Sequence, residues 1–450
     1  MAASPTLTAP ARVALAPLAW LLAAVEVAVR RPSLVVAGTV LLICLPSGIT
    51  DVASSGHVTP ADVAAGLIVA VLAVRLLTGE RSTARRGWLP FALALTAFAL
   101  ATVTATDVAA SIVGFLRYSE LFVLVPVAVA MSLRDRFDVR LVAGAIVAVT
   151  VAEGAVGGYQ YLSGTGATYG GEYVRAVGTF GPDQVLALGA LIGYGLLVTL
   201  ALGLALTGRA RVALLTAAGL LVLPLGLTLS RGAWIATACS VLVLLVIASW
   251  RVAVGLIAVA TLGVAVLMLG PAAGGAVTER VTSIGSSASA PDQSVKDRYA
   301  LWRAAAGIWA DHPVLGVGLK DFAEYRDSYA SVELSAGSDV GDPASGVSRE
   351  PLLSAHNQYL MVLSEQGTVG ILAFGGLLVA LAVGSVRRRP ASLPSAEQRF
   401  LDLAAPAVMV WTLIDFAYGD IGAGPTSVLL AVVLGLVVRR SLITPGEARS

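Results

Sequence analysis

His356, one of three histidines in the 450-residue chain, stands with Asn357 in LLSAHNQYLMVLSEQGTVGILAF, where the two residues open a helical pattern. An imidazole titrates near neutrality and is the natural general base, although a lone histidine serves more often as an ordinary hydrogen-bonding group. Arg231 interrupts an apolar tract in LTLSRGAWIATA. Arginine is disfavoured at hydrocarbon depth, so the chain either turns at that point or uses the charge. Arg175 precedes the turn Gly178-Thr179-Phe180-Gly181-Pro182, and Pro182 suits the first turn of a following helix. Free backbone N–H groups at such a helix start, beside an arginine, form a site suited to phosphate. In SVKDRYALWRAAAGIWADHPVLGVGLKDF, Tyr299, Trp302, Ala306 and Trp309 recur at helical spacing and Arg298 and Arg303 flank the stripe. That pattern predicts an amphipathic helix resting on the bilayer surface or on a transmembrane core.

The elements that must position these groups are membrane spans. The chain is 57% hydrophobic and 13% charged, with many apolar runs long enough to cross a hydrocarbon core. It reads as an all-α, polytopic membrane protein. A net charge of +2 gives no reason to expect nucleic acid as a partner. Cys44 and Cys239 both fall within apolar segments, which suggests packing residues and neither a disulfide framework nor a thiolate metal site. Apolar runs place spans near 34–49, 60–78, 88–105, 112–132, 139–160, 184–207, 211–229, 232–249, 252–270, 367–386, 401–418 and 423–438, about twelve in all. Residues 13–29 form either a thirteenth span or a helix lying at the interface.

Arginine clusters at Arg30 and Arg31, Arg75 through Arg86, Arg134 through Arg140, Arg209 and Arg211, Arg251, Arg387 to Arg389, and Arg439 and Arg440 fall at alternate connections. By the positive-inside rule these are cytoplasmic, which turns Arg231, the loop 161–183 and a long segment after 271 outward. The expected organisation is an N-terminal segment 1–33, a first transmembrane bundle 34–270, one large outward helical loop domain 271–353, C-terminal transmembrane helices 354–440 and a cytoplasmic tail 441–450. Within a span, Arg117 and Glu120 are at pairing distance on a helix and are expected to form an ion pair facing the bundle.

Four stretches together, RAVGTFGPDQ, SRGAWIA, RYALWRAAAGIWADHPVLGVG and AHNQYLMVLSEQGTVG, resemble the O-antigen ligase and polymerase family of membrane glycosyltransferases. The resemblance runs from about Leu34 to Arg440. His356 to Gly367 fits the family's His, ten residues, Gly pattern, and Arg231 to Ile235 fits its Arg, three residues, Leu pattern with Ile for Leu. Pro182-Asp183-Gln184 departs from it, where many relatives look like Asn-Pro-Asn.

The resemblance implies a donor glycan linked through its anomeric carbon to undecaprenyl diphosphate, and a glycan or lipid acceptor. Arginine suits the leaving diphosphate, because its planar fork holds phosphate oxygens in bidentate fashion and does not deprotonate. Arg175, Arg231 and one of Arg298 or Arg303 are thus expected to bind the diphosphate, His356 to take the acceptor's proton, and Gly178, Thr179, Asn357 and Gly367 to support them. Inverting transfer of this kind requires no metal and no cofactor. The implied place is the bacterial cytoplasmic membrane, multi-pass, with the site facing outward. Ligase and polymerase differ only in the acceptor. The alternative from another class is a secondary transporter or lipid flippase, against which stands the clustering of candidate groups on one face and not at the midplane. Asp51, in the first outward loop, is where a metal-using glycosyltransferase would hold a cation. Asp415 and Asp420, near an outward end, are expected to pair with an arginine.

Overall fold

The computed structural model describes residues 23, 25–45, 50–51, 57–78, 87–169, 173–181, 184–269, 293–331, 334, 338–342, 346–350, 352–387, 395–421, 424 and 426–442. Most of the N-terminal segment, the Pro182-Asp183 pair and residues 270–292 lie outside the described residues, as does the side chain of Asp51. The protein is an all-α, multi-pass membrane protein. In chain order the helices are α1 (Pro32–Leu42), α2 (Pro60–Leu77), α3 (Leu89–Val103), α4 (Val108–Ser132), α5 (Arg136–Ser163), α6 (Ala187–Ala205) and α7 (Gly208–Leu220). They continue with α8 (Val222–Leu227), α9 (Arg231–Leu269), α10 (Gln293–Asp311), α11 (Phe322–Tyr329), α12 (Gln358–Val386), α13 (Ala396–Asp415) and α14 (Thr426–Ser441).

A helix stands at each of the twelve positions where an apolar run predicts a span. Among the described residues, seven helical segments are long and apolar enough to cross a membrane: α2, α4, α5, α6, the α7–α8 pair, α9 as far as Arg251, and α12. The expected spans 232–249 and 252–270 form one helix whose backbone leaves helical geometry at Ser249 (φ −172°, ψ 111°). Within α4, Glu120–Leu124 makes a π-helical turn. There the expected pair forms, Arg117 to Glu120 at 3.2 Å, and the same guanidinium also bonds Asp62 of α2 and Ser427 of α14.

The bundle is centred on α13, which packs on α6, α9, α12 and α14. Trp411, fully buried, donates its indole N–H to Thr237 of α9 at 3.0 Å, and Tyr194 of α6 is 3.0 Å from the Thr412 hydroxyl. Phe122, Phe374 and Phe416 meet with ring centroids 4.9 to 6.1 Å apart, joining α4, α12 and the end of α13. Apolar burial makes this the main core, and its Trp411 indole and Tyr194 and Thr412 hydroxyl groups find partners within it.

A second, smaller core lies under α10 and α11, built on Leu301, Ala305, Ile308, Val317, Phe322 and Ala355. The face of α10 that packs therefore runs through Leu301, Ala305 and Ile308, one step round the helix from the expected stripe, and Ala306 is exposed. Trp302 and Trp309 sit at the margin of that face, where each indole N–H finds an acceptor: the Ala355 carbonyl at 3.0 Å and the Thr368 hydroxyl at 3.2 Å. The sequence pattern gives no hint of a four-stranded antiparallel sheet, order β4-β3-β5-β6, formed by β3 (Ala167–Tyr169), β4 (Tyr173–Arg175), β5 (Ser338–Asp342) and β6 (Gly346–Glu350). It joins the 161–183 loop to the segment before α12. A two-stranded ladder, β1 (Thr50–Asp51) with β2 (His57–Val58), precedes α2.

Candidate active site

The turn carrying Arg231 is tight. Helix α8 ends at Leu227, α9 begins at Arg231, and Leu229 between them adopts a left-handed φ of 51°. Ser230 caps α9 through the Ala233 N–H at 3.4 Å, and Trp234 donates back to the Leu225 carbonyl at 2.8 Å, closing the turn on itself. Arg231 is half-buried in the first position of a helix, where the peptide dipoles already present positive potential. A cation there adds nothing to helix stability and adds to the pull on an anion.

Arg175, buried at the end of β4, reaches across that same turn. Its Nε donates to the Thr228 carbonyl at 2.6 Å, and the neighbouring Ala176 N–H donates to the Leu227 carbonyl at 3.0 Å. The structure thus brings Arg175 and Arg231 to the two sides of one turn. The segment that follows Arg175 is fixed from α5. Gln160 accepts from the N–H groups of Val177 (3.1 Å) and Gly178 (2.9 Å) and donates to the Gly178 carbonyl (2.7 Å). Glu153, two turns earlier on the same helix face, accepts from the Thr179 N–H (2.9 Å) and hydroxyl (2.7 Å). Gly178 is obligatory in this arrangement: its φ is 68°, and a Cβ on it would stand 2.3 Å from a Glu153 oxygen.

His356 lies immediately before α12 with a left-handed φ of 45°, a conformation costing about 1–3 kcal/mol in a non-glycine residue unless its neighbours impose it. They do. Ala355 is fully buried, its carbonyl accepts from Trp302, and its N–H points to the Met361 sulfur at 3.2 Å. On the other side Asn357 caps α12, accepting from the Leu360 N–H at 3.0 Å. Burial holds the His356 pKa below the ordinary value of 6.5; the Asp420 carboxylate opposes that shift and the Arg298 guanidinium adds to it. Arg298 stands one turn before Trp302 on α10, on the face directed at His356, and it also acts on Asp415. Arg303, five residues on and therefore roughly 140° round the helix, is exposed.

The two halves meet through the loop between α13 and α14. Gln358, fully buried, donates its N–H to the carbonyls of Phe416 (2.8 Å) and Gly419 (2.9 Å) and accepts from Ile421 N–H at 3.0 Å. Its Nε2 donates to the Tyr118 hydroxyl at 2.7 Å. Asn357 adds a bond to the Ala417 carbonyl at 3.2 Å, and Tyr359 one to Leu413 at 2.7 Å. On its other side the loop lays Tyr418 against Gly232, whose missing Cβ would lie 3.4 Å away, and Gly424 against Gln184. The loop is thus a wall shared by the Arg175–Arg231 turn and by His356. It ends the helix carrying Asp415 and contains Asp420, one of whose carboxyl oxygens is buried with no hydrogen-bond partner.

Gly367 has a structural task. At that residue α12 breaks (φ 64°, ψ −163°), and the chain 313–318 runs alongside the break. Val317 and Gly318 N–H donate to the carbonyls of Ser364 (3.1 Å) and Glu365 (2.9 Å), while Thr368 and Val369 N–H donate to Pro313 (2.9 Å) and Val314 (3.1 Å). Groups that a helix break would orphan are satisfied by a second segment. A Cβ on Gly367 would lie 2.3 Å from the Val314 carbonyl oxygen, so HPVLGVG and the glycine of the His, ten residues, Gly pattern are two sides of one crossing.

Sequence reasoning passed over Glu153, Gln160 and Gln358, and read Asp415 and Asp420 only as arginine partners. A lone acidic residue inside an apolar run was the available signal for Glu153. The two glutamines had none, because their bonds go to backbone groups and one tyrosine hydroxyl that lie far away in sequence.

Fold and site together define a multi-pass membrane protein with arginines and a histidine gathered at one end of the bundle. Residues 215–375, which hold the Arg231 turn, α10, His356 and Gly367, match the family model for the O-antigen ligase. No curated protein matches the chain.

Proposed function

We propose that the protein transfers a glycan from undecaprenyl diphosphate to an acceptor hydroxyl at the outer face of the bacterial cytoplasmic membrane. The observation that supports this best is the pairing of two environments across one loop: Arg175 and Arg231 on a shared turn, and His356 on the far side within the electrostatic reach of Arg298 and Asp420. The acceptor oxygen attacks the anomeric carbon opposite the diphosphate, the carbon–oxygen bond to the diphosphate breaks, and the acceptor proton passes to His356. Attack from the opposite side inverts the sugar configuration. Burial keeps the imidazole neutral and ready to accept a proton. Arg175, Arg231 and Arg298 take up the charge developing on the leaving diphosphate, an electrostatic contribution that grows as water is excluded. Arg298 is preferred to Arg303 because it lies near His356. The scheme uses no metal.

The test is to delete the gene and analyse the lipid-linked glycans that accumulate, returning wild-type and His356→Ala copies in parallel. Full-length chains on undecaprenyl diphosphate outside the membrane are the expected result for a ligase, and single repeat units there identify a polymerase. Accumulation on the cytoplasmic side, or full rescue by His356→Ala, overturns the proposal in favour of a transporter or scaffold.

A further inference from the structure

Glu153 is a carboxyl group at membrane depth, 1% exposed, and among the described residues no arginine or lysine forms an ion pair with it. A buried acidic side chain is costly unless its oxygens are hydrogen-bonded, and intramembrane ionisable residues usually serve function. Both oxygens of Glu153 are engaged by Thr179. The bonds go to a turn outside α5 and not to a neighbouring helix. That turn continues directly from Arg175, whose guanidinium lies on the carbonyl of Thr228, three residues before Arg231.

We propose that Glu153 is a positioning residue for the donor: by fixing the Gly178–Thr179 turn it sets where Arg175 stands relative to Arg231. The inference rests on the assignment of Arg175 to the donor diphosphate. Gln160 fastens the backbone of Val177 and Gly178, and Glu153 fastens the next residue, so the turn is gripped from one helix at two points. Losing the second grip leaves the turn attached but free to swing, which shifts donor affinity while leaving the chemical step at His356 intact.

The test is steady-state transfer by full-length protein in proteoliposomes, using lipid-linked glycan isolated from the deletion strain, for wild type, Glu153→Gln, Arg175→Ala and the double variant. Glu153→Gln is nearly isosteric and retains one acceptor, so it should fold. We expect it to raise the donor KM about five- to tenfold with kcat within about twofold, the mark of lost binding without lost chemistry. The double variant should be no worse than Arg175→Ala alone, since residues acting through one another are non-additive. A wild-type KM in Glu153→Gln beside a raised KM in Arg175→Ala overturns the inference alone, as does a double variant in which the two effects multiply. A reduced yield of folded Glu153→Gln with unchanged KM makes the residue purely structural and also overturns it. An unchanged KM in Arg175→Ala removes the donor assignment, and the inference with it.

Discussion

The two ends of α5 use acidic residues differently. At its start Asp135 caps the helix and Asp138, fully buried, bonds the Ser33 hydroxyl at 2.5 Å and lies 3.4 Å from Arg31 and 3.6 Å from Arg134. Nearby, Arg140 meets Glu397 of α13 at 2.6 Å, and Arg440 of α14 meets Asp402. These are ion pairs that fasten helix to helix. Toward the other end of α5, Glu153 and Gln160 hold a loop by its backbone and a threonine, glycines make the clearance, and arginine meets a carbonyl oxygen. An end built from ion pairs is a frame. Toward the other end of α5 the fastening is a gripped turn, which holds Arg175 on the turn that carries Arg231.

That contrast can be broken experimentally. The largest effect is expected for His356→Ala, which should lower transfer about 10²- to 10⁴-fold at matched expression, in line with loss of a general base. Arg231→Ala and Arg231→Lys should both fail if bidentate contact matters, and a rescue by lysine would reduce the residue to a point charge. Next, Gly178→Ala should reduce transfer at least about tenfold, since strain of about 1–3 kcal/mol is joined by a clash. Gly164→Ala, at the end of α5, is the control: its φ is also positive, 70°, but nothing lies within 4 Å, so it should suffer less. Equal losses would show that backbone strain alone, without the Glu153 contact, governs the turn.

Gly367→Ala should lower the thermal midpoint of the purified protein, because its Cβ has no room against the Val314 carbonyl. An unchanged midpoint would mean that the 313–318 crossing contributes little. The pH dependence of kcat/KM offers a finer measure. His356 is held below 6.5, so the neutral base persists as pH falls and the acidic limb should lie below 6.5. Asp420→Asn removes the carboxylate that opposes this shift and should move the limb lower still; movement upward would contradict the electrostatic arrangement. The smallest effect belongs to the framed end. Asp402→Asn, which breaks a partly exposed pair with Arg440, should leave transfer within about twofold of wild type.

Much of the architecture is legible in sequence because lipid imposes a simple rule. Apolar runs in the bilayer must be helices, so α2, α4, α5 and α12 follow from run length, and Ser230 before Arg231 marks a helix start. The Arg117–Glu120 pair follows from helical spacing. The sheet joining two loops does not, because its strands are short and lack an alternating apolar face. The stripe on α10 also shifted, since the aromatic residues with N–H donors settled at the margin of the packed face and left its centre to Leu301, Ala305 and Ile308.

By itself the sequence determined the membrane class, the places of the helices, the turn at Arg231 and the residue types available for chemistry. Each of these depends on neighbours along the chain, through helical periodicity, capping and the exclusion of charge from lipid. Only the tertiary structure decided which of those residues meet. Arg175 reaches Thr228 across 53 residues, Gln358 reaches Tyr118 across 240, and Glu153 grips Thr179 across 26. Hydrogen bonds between residues so far apart leave almost no local sequence signature, so a site assembled from them is invisible until the helices are packed.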